Sequence, residues 1–333
     1  MISRKALYVL LPIIILVVTY FSGANPDTPT YSFVFPEIPH AAEQLEQFVG
    51  NLEAQHKIKP DNEARIIWAD SSKQKTEYAI VYLPGFSASH KEGDPIHTRF
   101  ANDFGCNLYL ARLADHGIDT TEVLLNFTPE RFWESAKEAL AIGNQLGEKV
   151  ILVSTSTGGT VALMLAANFP TQVHALINLS PNIALRDPAA VLLNNPWGLQ
   201  IARMVMGSNY REWIADPERK KYWNNKYRLE AIVQLEELVE TTMTSETFSK
   251  VNQPSLTVYY YKNEKEQDPE VSVEAMLKMH KQLSTTDSLK VAVAMPKAGA
   301  HVLGSSLVSK DVEGVYREMV KFAEEKVGIK MKP

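Results

Sequence analysis

The chain has 333 residues, 45% of them hydrophobic, with one cysteine and a formal net charge of −5. That length and apolar content suit one large domain with an insertion, or two modest domains, around a substantial core. Cys106 stands alone, which excludes an intramolecular disulfide and any cysteine-based metal site; no Lys/Arg block stands out, so nucleic acid is not an expected partner.

In chain order the first element is apolar. Arg4 and Lys5 precede "ALYVLLPIIILVVTYF", Ala6 to Phe21. This run sits between the ~7–15 residues of a signal-peptide core and the ~18 or more of a spanning helix. Ser22-Gly23-Ala24 supplies small residues for a signal peptidase. Residues 1–24 are therefore expected to be a cleaved signal or a membrane anchor, with membrane association through residues 6–21. Arg4 and Lys5 would stay cytoplasmic, and the remainder would be exported or membrane-anchored outside the cytoplasm. A lipoprotein is not expected, because no cysteine follows the run. Asn25-Pro26-Asp27-Thr28-Pro29 cannot continue a helix.

Residues 25–63 read as a lead-in, with helical spacing at Leu45, Phe48 and Leu52. "ARIIWAD" from Ala64 reads as a strand, and the pattern then alternates. "TEYAIVYLPG" is a strand ending at Gly85, "HTRFANDFG" a helix and "CNLYLARL" a strand. A helix capped by Thr128, with Pro129 first, runs to Gly147 and aligns Phe132, Ala136, Leu140 and Gly143. "KVILVST", "GGTVALMLAANF" and "VHALINLS" follow as strand, helix and strand. Near-continuous Val/Ile/Leu strands alternating with helices predict a parallel sheet covered on both faces, with right-handed crossovers. Residues 64–182 form its first part.

Residues 183–252 have another texture. They hold Trp197, Trp213 and Trp223, with several methionines, tyrosines and charges. We read them as a cap inserted between two sheet strands, too aromatic to be a solvated linker. Residues 253–333 resume the rhythm with "PSLTVYYYK", "SVEAMLKMHKQL", "SLKVAVAM" and "DVEGVYREMVKFAEEKV". The last is a helix with Val312, Val315, Met319 and Phe322 on its core face.

Chemistry is suggested by "LVSTSTGGTVA", Leu152 to Ala162. A strand, a sharp turn and a helix with small-x-Ser-x-small at the turn is a nucleophile elbow. The residues two positions either side of the serine must be small. Around Ser156 they are Ser154 and Gly158; around Ser154 they would include Leu152, which is too large. Ser156 is the candidate, and Gly159 would let the following helix pack close to the sheet. A serine needs a base, and the base an orienting acid. The acid is expected after the strand that follows the cap, in "YYYKNEKEQDPEVSV". Asp268 is preferred over Glu264, Glu266 and Glu270, because Val271 and Val273 would pin it against the core. Among eight histidines, His301 in "VAVAMPKAGAHVLGSS" has the right position, just past the last strand. Oxyanion donors are expected from the backbone N–H groups of Thr157 and Phe86. Ser87, Ser89 and His90 are read as capping the next helix and Cys106 as core. Phe86, Trp197, Met204, Met206, Trp213 and Trp223 are the candidate pocket walls.

These marks together resemble an α/β-hydrolase of the capped esterase/lipase branch, over roughly Ala64 to Val327. They are "LPGFSASH" after the third core strand, "LARLADHG" after the fourth, "STSTGG" at the elbow, the Asp268 loop and "AGAHV". "LPGF" resembles the family's His-Gly oxyanion motif with Pro84 for the histidine. Asp115-His116-Gly117 resembles its "GHG" loop with Asp115 for the first glycine. The resemblance implies an α/β-hydrolase fold: a mostly parallel central sheet, helices on both faces, and a helical cap inserted before the strand preceding the acid. It implies Ser156 as nucleophile, His301 as base and Asp268 as orienter, with no metal and no organic cofactor. The expected substrate is a small-molecule or lipid carboxylic ester, as for a carboxylesterase or monoacylglycerol lipase. Thioester, lactone or amide hydrolysis would use the same triad. A catalytically inactive, membrane-tethered binding protein on the same scaffold is the alternative of another class.

Overall fold

The computed structural model describes residues 4–332, the side chains of residues 4–7 and 9 excepted. The charges of Arg4 and Lys5, expected to orient the N-terminal run, lie outside the described side chains. That run forms α1 (Arg4–Phe21). Leu10, Leu11, Ile13–Val18 and Phe21 on it are exposed. Among the described residues no helix is long and apolar enough to cross a membrane, so the anchor reading of residues 6–21 gains no support.

The lead-in lies across the body of the protein. α2 (Ala42–Glu53) buries Leu45 and Val49, a narrower face than Leu45, Phe48 and Leu52. Upstream of it, the Trp133 indole N–H donates to the Ser32 carbonyl at 2.7 Å, and the buried Lys137 ammonium to the Val34 carbonyl at 3.0 Å. The first bond satisfies an indole N–H that would otherwise be stranded under the extended segment, and Lys137 also pairs with Glu134 at 2.8 Å.

Next come β1 (Arg65–Ile67), β2 (Thr76–Leu83), α3 (Ile96–Phe104), β3 (Asn107–Leu110), α4 (Pro129–Leu146), β4 (Gly147–Thr155), α5 (Thr157–Asn168) and β5 (Ala175–Leu179). Thr128 caps α4 by accepting from the Arg131 N–H, with Pro129 opening the helix. After β5 the chain forms α6 (Gly198–Met206), β6 (Tyr210–Glu212), α7 (Pro217–Tyr222), β7 (Lys226–Arg228), α8 (Leu229–Thr242) and α9 (Ser245–Lys250). It closes with β8 (Ser255–Tyr259), α10 (Val273–Gln282), β9 (Lys290–Ala294) and α11 (Val312–Phe322).

Seven strands make one sheet in the order β1-β3-β2-β4-β5-β8-β9. Only β1 runs antiparallel to its neighbour. The sheet begins at β1 among the described residues, so "LPGFSASH" and "LARLADHG" follow its second and third strands, one earlier than expected. Side chains alternate between two cores. Ala79, Val81, Leu83, Val150 and Leu152 face the layer of α4, α5, α8 and α10. Ile80, Tyr82, Ile151 and Val153 face the layer of α3 and α11. Both faces are buried, which is why the strands read as unbroken apolar runs.

The stretch 183–252 is not wholly helical. β6 and β7 pair antiparallel, Tyr210 opposite Arg228 and Glu212 opposite Lys226. Their alternation is invisible in sequence because the strands are three residues long and polar. α8 packs its apolar face on α4 and α5, while Met204, Val205 and Ile214 stand in solvent.

Candidate active site

The chain leaves β2 toward β3 on one side, then returns through α4 to β4 on the other side of β2. The carboxyl ends of β2 and β4 thus border the point where strand order reverses, the place where open α/β sheets build sites. Leu83 lies beside Ser154 in register, so the turn after β2 and the turn after β4 are neighbours.

Ser156 sits between β4 and α5 with φ 54° and ψ −121°. A non-glycine residue there is strained by about 1–3 kcal/mol and persists only if its surroundings hold it. They do: its N–H donates to the Leu179 carbonyl at 3.0 Å, and its carbonyl accepts from Gly159 at 2.8 Å and Asn182 at 2.9 Å. A Cβ on Gly158 would run into the Leu83 carbonyl oxygen. Gly158→Ala should therefore cost about 1–3 kcal/mol by overpacking and distort the elbow, which a thermal melt and a serine-probe labelling rate would both read. Ser154 is buried and donates to Asn178 Oδ1 at 2.7 Å. Gly159 faces Pro181, 2.6 Å from where a Cβ would stand, so the loop after β5, rather than the sheet, requires it small.

Among the described residues the Ser156 hydroxyl makes no hydrogen bond, His301 bonding Asp268 and not Ser156, and the N–H groups of Phe86 and Thr157 donate to no protein group. Main-chain donors left open beside a strained serine are what an oxyanion site requires. The Phe86 ring is packed edge-on against His116, Phe127 and Tyr227, which fixes the turn that carries its N–H. His116 is fully buried, and burial pushes it down to about 4, so it is a neutral packing group. Asp115, in the position of the resembled glycine, adopts φ 63° and pairs with Arg131 at 2.8 Å.

Asp268 is fully buried, and its Oδ1 accepts from the N–H groups of Glu270 at 2.9 Å and Val271 at 3.1 Å. Val271 and Val273, which follow it, are buried. Glu264 and Glu266 instead take surface partners, Tyr261 and Lys262. His301 Nδ1 lies 2.8 Å from Asp268 Oδ2 and 3.0 Å from Oδ1. Burial opposes the charge on His301, but the carboxylates of Asp268 and then Glu92 overcome it and raise the imidazole to about 9. Burial likewise opposes the charge on Asp268, and His301 outweighs it, holding the carboxyl below its ordinary value.

The named pocket residues divide. Trp223 is buried with Ala88 and Val302, and Trp213 packs on this group. The Asn224 N–H donates to the Ser87 carbonyl at 2.8 Å, which ties this part of the chain to the turn after β2. Trp197 is elsewhere, donating from its indole to the Thr19 and Tyr20 carbonyls at the end of α1. Met204 is 75% exposed and Met206 lies in the same exposed stretch. Ser89 caps the short helix His90–Gly93, and Cys106 is buried with its thiol pushed up to about 12 by burial.

The Alpha/beta hydrolase family matches residues 80–312. The chain belongs to the alpha/beta hydrolase family. The fold is shared with solved structures of low identity. A structure described under the metagenome-derived lipolytic enzymes LipS and LipT is 15% identical, with TM-score 0.62, covering 80% of this chain and 98% of that one. The monoacylglycerol lipase of Paleococcus ferrophilus is 14% identical, with TM-score 0.56, covering 78% and 96%. The enol-lactonase of Burkholderia xenovorans LB400 is 13% identical, with TM-score 0.52, covering 79% and 96%. No curated protein sequence matches.

Sequence reasoning about this hydrolase missed two residues beside the site. Tyr227, from β7, closes on the Phe86 ring at 5.2 Å. Glu92, seven residues beyond Gly85, is only 3% exposed, and its Oε2 accepts the Gly85 N–H at 2.6 Å. In "SHKEGDP" it reads as one charge of a solvated turn, and only the three-dimensional return of that turn under β2 reveals it.

Proposed function

We propose that this hydrolase cleaves carboxylic esters through an acyl-enzyme on Ser156. The observation that carries the reading is the strained Ser156 with its hydroxyl free, beside two open main-chain N–H groups at the switch point of the sheet. The ester carbonyl sits over Ser156 with its oxygen toward Phe86 and Thr157. The His301 imidazole, oriented by Asp268, takes the serine proton as the complex tightens, gives it to the leaving alcohol, and then activates water. Phe86, Tyr227 and Trp213, each partly exposed, offer apolar and aromatic surface to the acyl or alcohol part. The similarity to the lipolytic and monoacylglycerol-lipase structures accords with an ester substrate.

The test is turnover of p-nitrophenyl esters from acetate to palmitate across pH. The base must be neutral to act, and His301 is raised to about 9. The expected profile of kcat/KM, corrected for spontaneous hydrolysis, therefore climbs through the alkaline range between about pH 7 and 10. A profile flat from pH 6 upward would remove His301 from the role of base.

A further inference from the structure

The mechanism above leaves one buried carboxylate unused. Glu92 takes part in no ion pair among the described residues, although it is 3% exposed. A buried carboxylate without an ion pair is costly to a fold. Its surroundings explain its place. Its Oε2 accepts the Gly85 N–H at 2.6 Å. A Cβ on Gly85 would lie 3.0 Å from that oxygen and 2.9 Å from Ser156 Cβ, so carboxylate and nucleophile crowd the same side of the oxyanion turn.

We propose that Glu92 is a positioning residue of this site: it fixes the oxyanion turn through Gly85 and, with Asp268, sets the charge at which His301 rests. The proposal rests on the reading of Ser156 and His301 as nucleophile and base. Among the described residues the following groups face the pair. Toward Glu92 they are the Gly85 N–H, the Trp223 indole, the Tyr82 phenol, His301 and the Arg219 guanidinium. Arg219 itself stacks 4.8 Å from the Trp213 ring and 5.7 Å from the Trp223 ring. Toward His301 they are Asp268, Glu92 and Glu270.

Burial pushes Glu92 up to about 7 and His301 is raised to about 9, so between those values the proton rests on His301 beside an ionised Glu92. With the proton on His301, the imidazolium cannot accept the serine proton, and the Glu92 carboxylate grips the turn. Above about pH 9 His301 gives up the proton and is a free base. The carboxylate thereby delays the base to higher pH while it holds the oxyanion donors in place.

Glu92→Gln in the full-length protein keeps an oxygen for the Gly85 N–H and removes the charge. Two readouts are followed: the His301 ring titration by NMR, assigned with His301→Gln, and the pH dependence of fluorophosphonate labelling of Ser156. Glu92→Gln is expected to lower both midpoints by roughly one pH unit. Glu92→Leu should show the same shift and also label at least about tenfold more slowly at the plateau, because the turn is released. An unmoved His301 midpoint in folded Glu92→Gln overturns the proposal. If that variant does not fold, wild-type carboxyl 13C titration decides. Glu92 changing in step with His301 supports the proposal, and a single Glu92 step below about pH 5 overturns it. Wild type that fails to label at any pH overturns the hydrolytic reading instead, and leaves the ring titration readable.

Discussion

Ser156→Ala is expected to abolish ester turnover, with kcat falling by about 10⁵–10⁶-fold, while the melting temperature stays where it is or rises slightly. The two halves of this expectation have separate causes. The hydroxyl has no hydrogen-bond partner among the described residues, so its removal strands no group and forfeits no native bond. Alanine meets the same strain at φ 54° as serine does, and the bonds that hold the elbow come from main-chain atoms that the substitution leaves alone. On the proposed reading what disappears is the attacking oxygen, so fluorophosphonate labelling should vanish with turnover, and a residual rate should remain from the oxyanion donors and binding alone. Ser154→Ala is the matched control. It removes a buried bond to Asn178 Oδ1, which should cost about 1 kcal/mol of stability, but labelling should persist. The reverse pattern, label lost in Ser154→Ala and kept in Ser156→Ala, would move the nucleophile to the other serine.

The parts legible in sequence were those governed by local rules. Strands buried on both faces announce themselves as Val/Ile/Leu runs, and β2, β4, β5 and β8 fell where those runs stand. Thr128-Pro129 marked the start of α4 because capping is a matter of adjacent residues. The elbow showed through the requirement for small neighbours, and the requirement is visible in space, since Gly158 abuts the Leu83 carbonyl. Asp268 could be preferred over three glutamates because the valines that follow it were bound to be inside. Legibility ended where long-range packing decides. Trp197 and Met204 looked like pocket walls by composition, yet one is held by the end of α1 and the other faces solvent. The β6–β7 hairpin was too short and polar to carry a period. Glu92 was unreadable for a different reason. Its burial comes from a turn folding back beneath β2, and nothing adjacent to it in "SHKEGDP" distinguishes a buried acid from a solvated one.

Asp268→Asn should lower kcat by about 10⁴-fold with little change in the backbone around it. The asparagine oxygen can still accept from the Glu270 and Val271 N–H groups that now bond Oδ1. Its amide would then present N–H donors to His301 Nδ1, where a carboxylate now stands 2.8 Å away. That contact favours the tautomer whose proton sits on Nε2, and a ring so arranged has no lone pair for the serine proton. Stability should respond with a defined sign. Asp268 is held below its ordinary 3.8, so its contribution is present above that pH and is lost as pH falls through the lower folded value. His301 is raised from 6.5 to about 9, so its share is full below 6.5 and fades as pH rises through about 9. The stability gap between wild type and Asp268→Asn, read from urea melts, should therefore be widest from about pH 4 to 6.5 and narrow on both sides. A gap independent of pH would mean that the pair is not ionised, and that Asp268 orients the ring as a neutral acceptor.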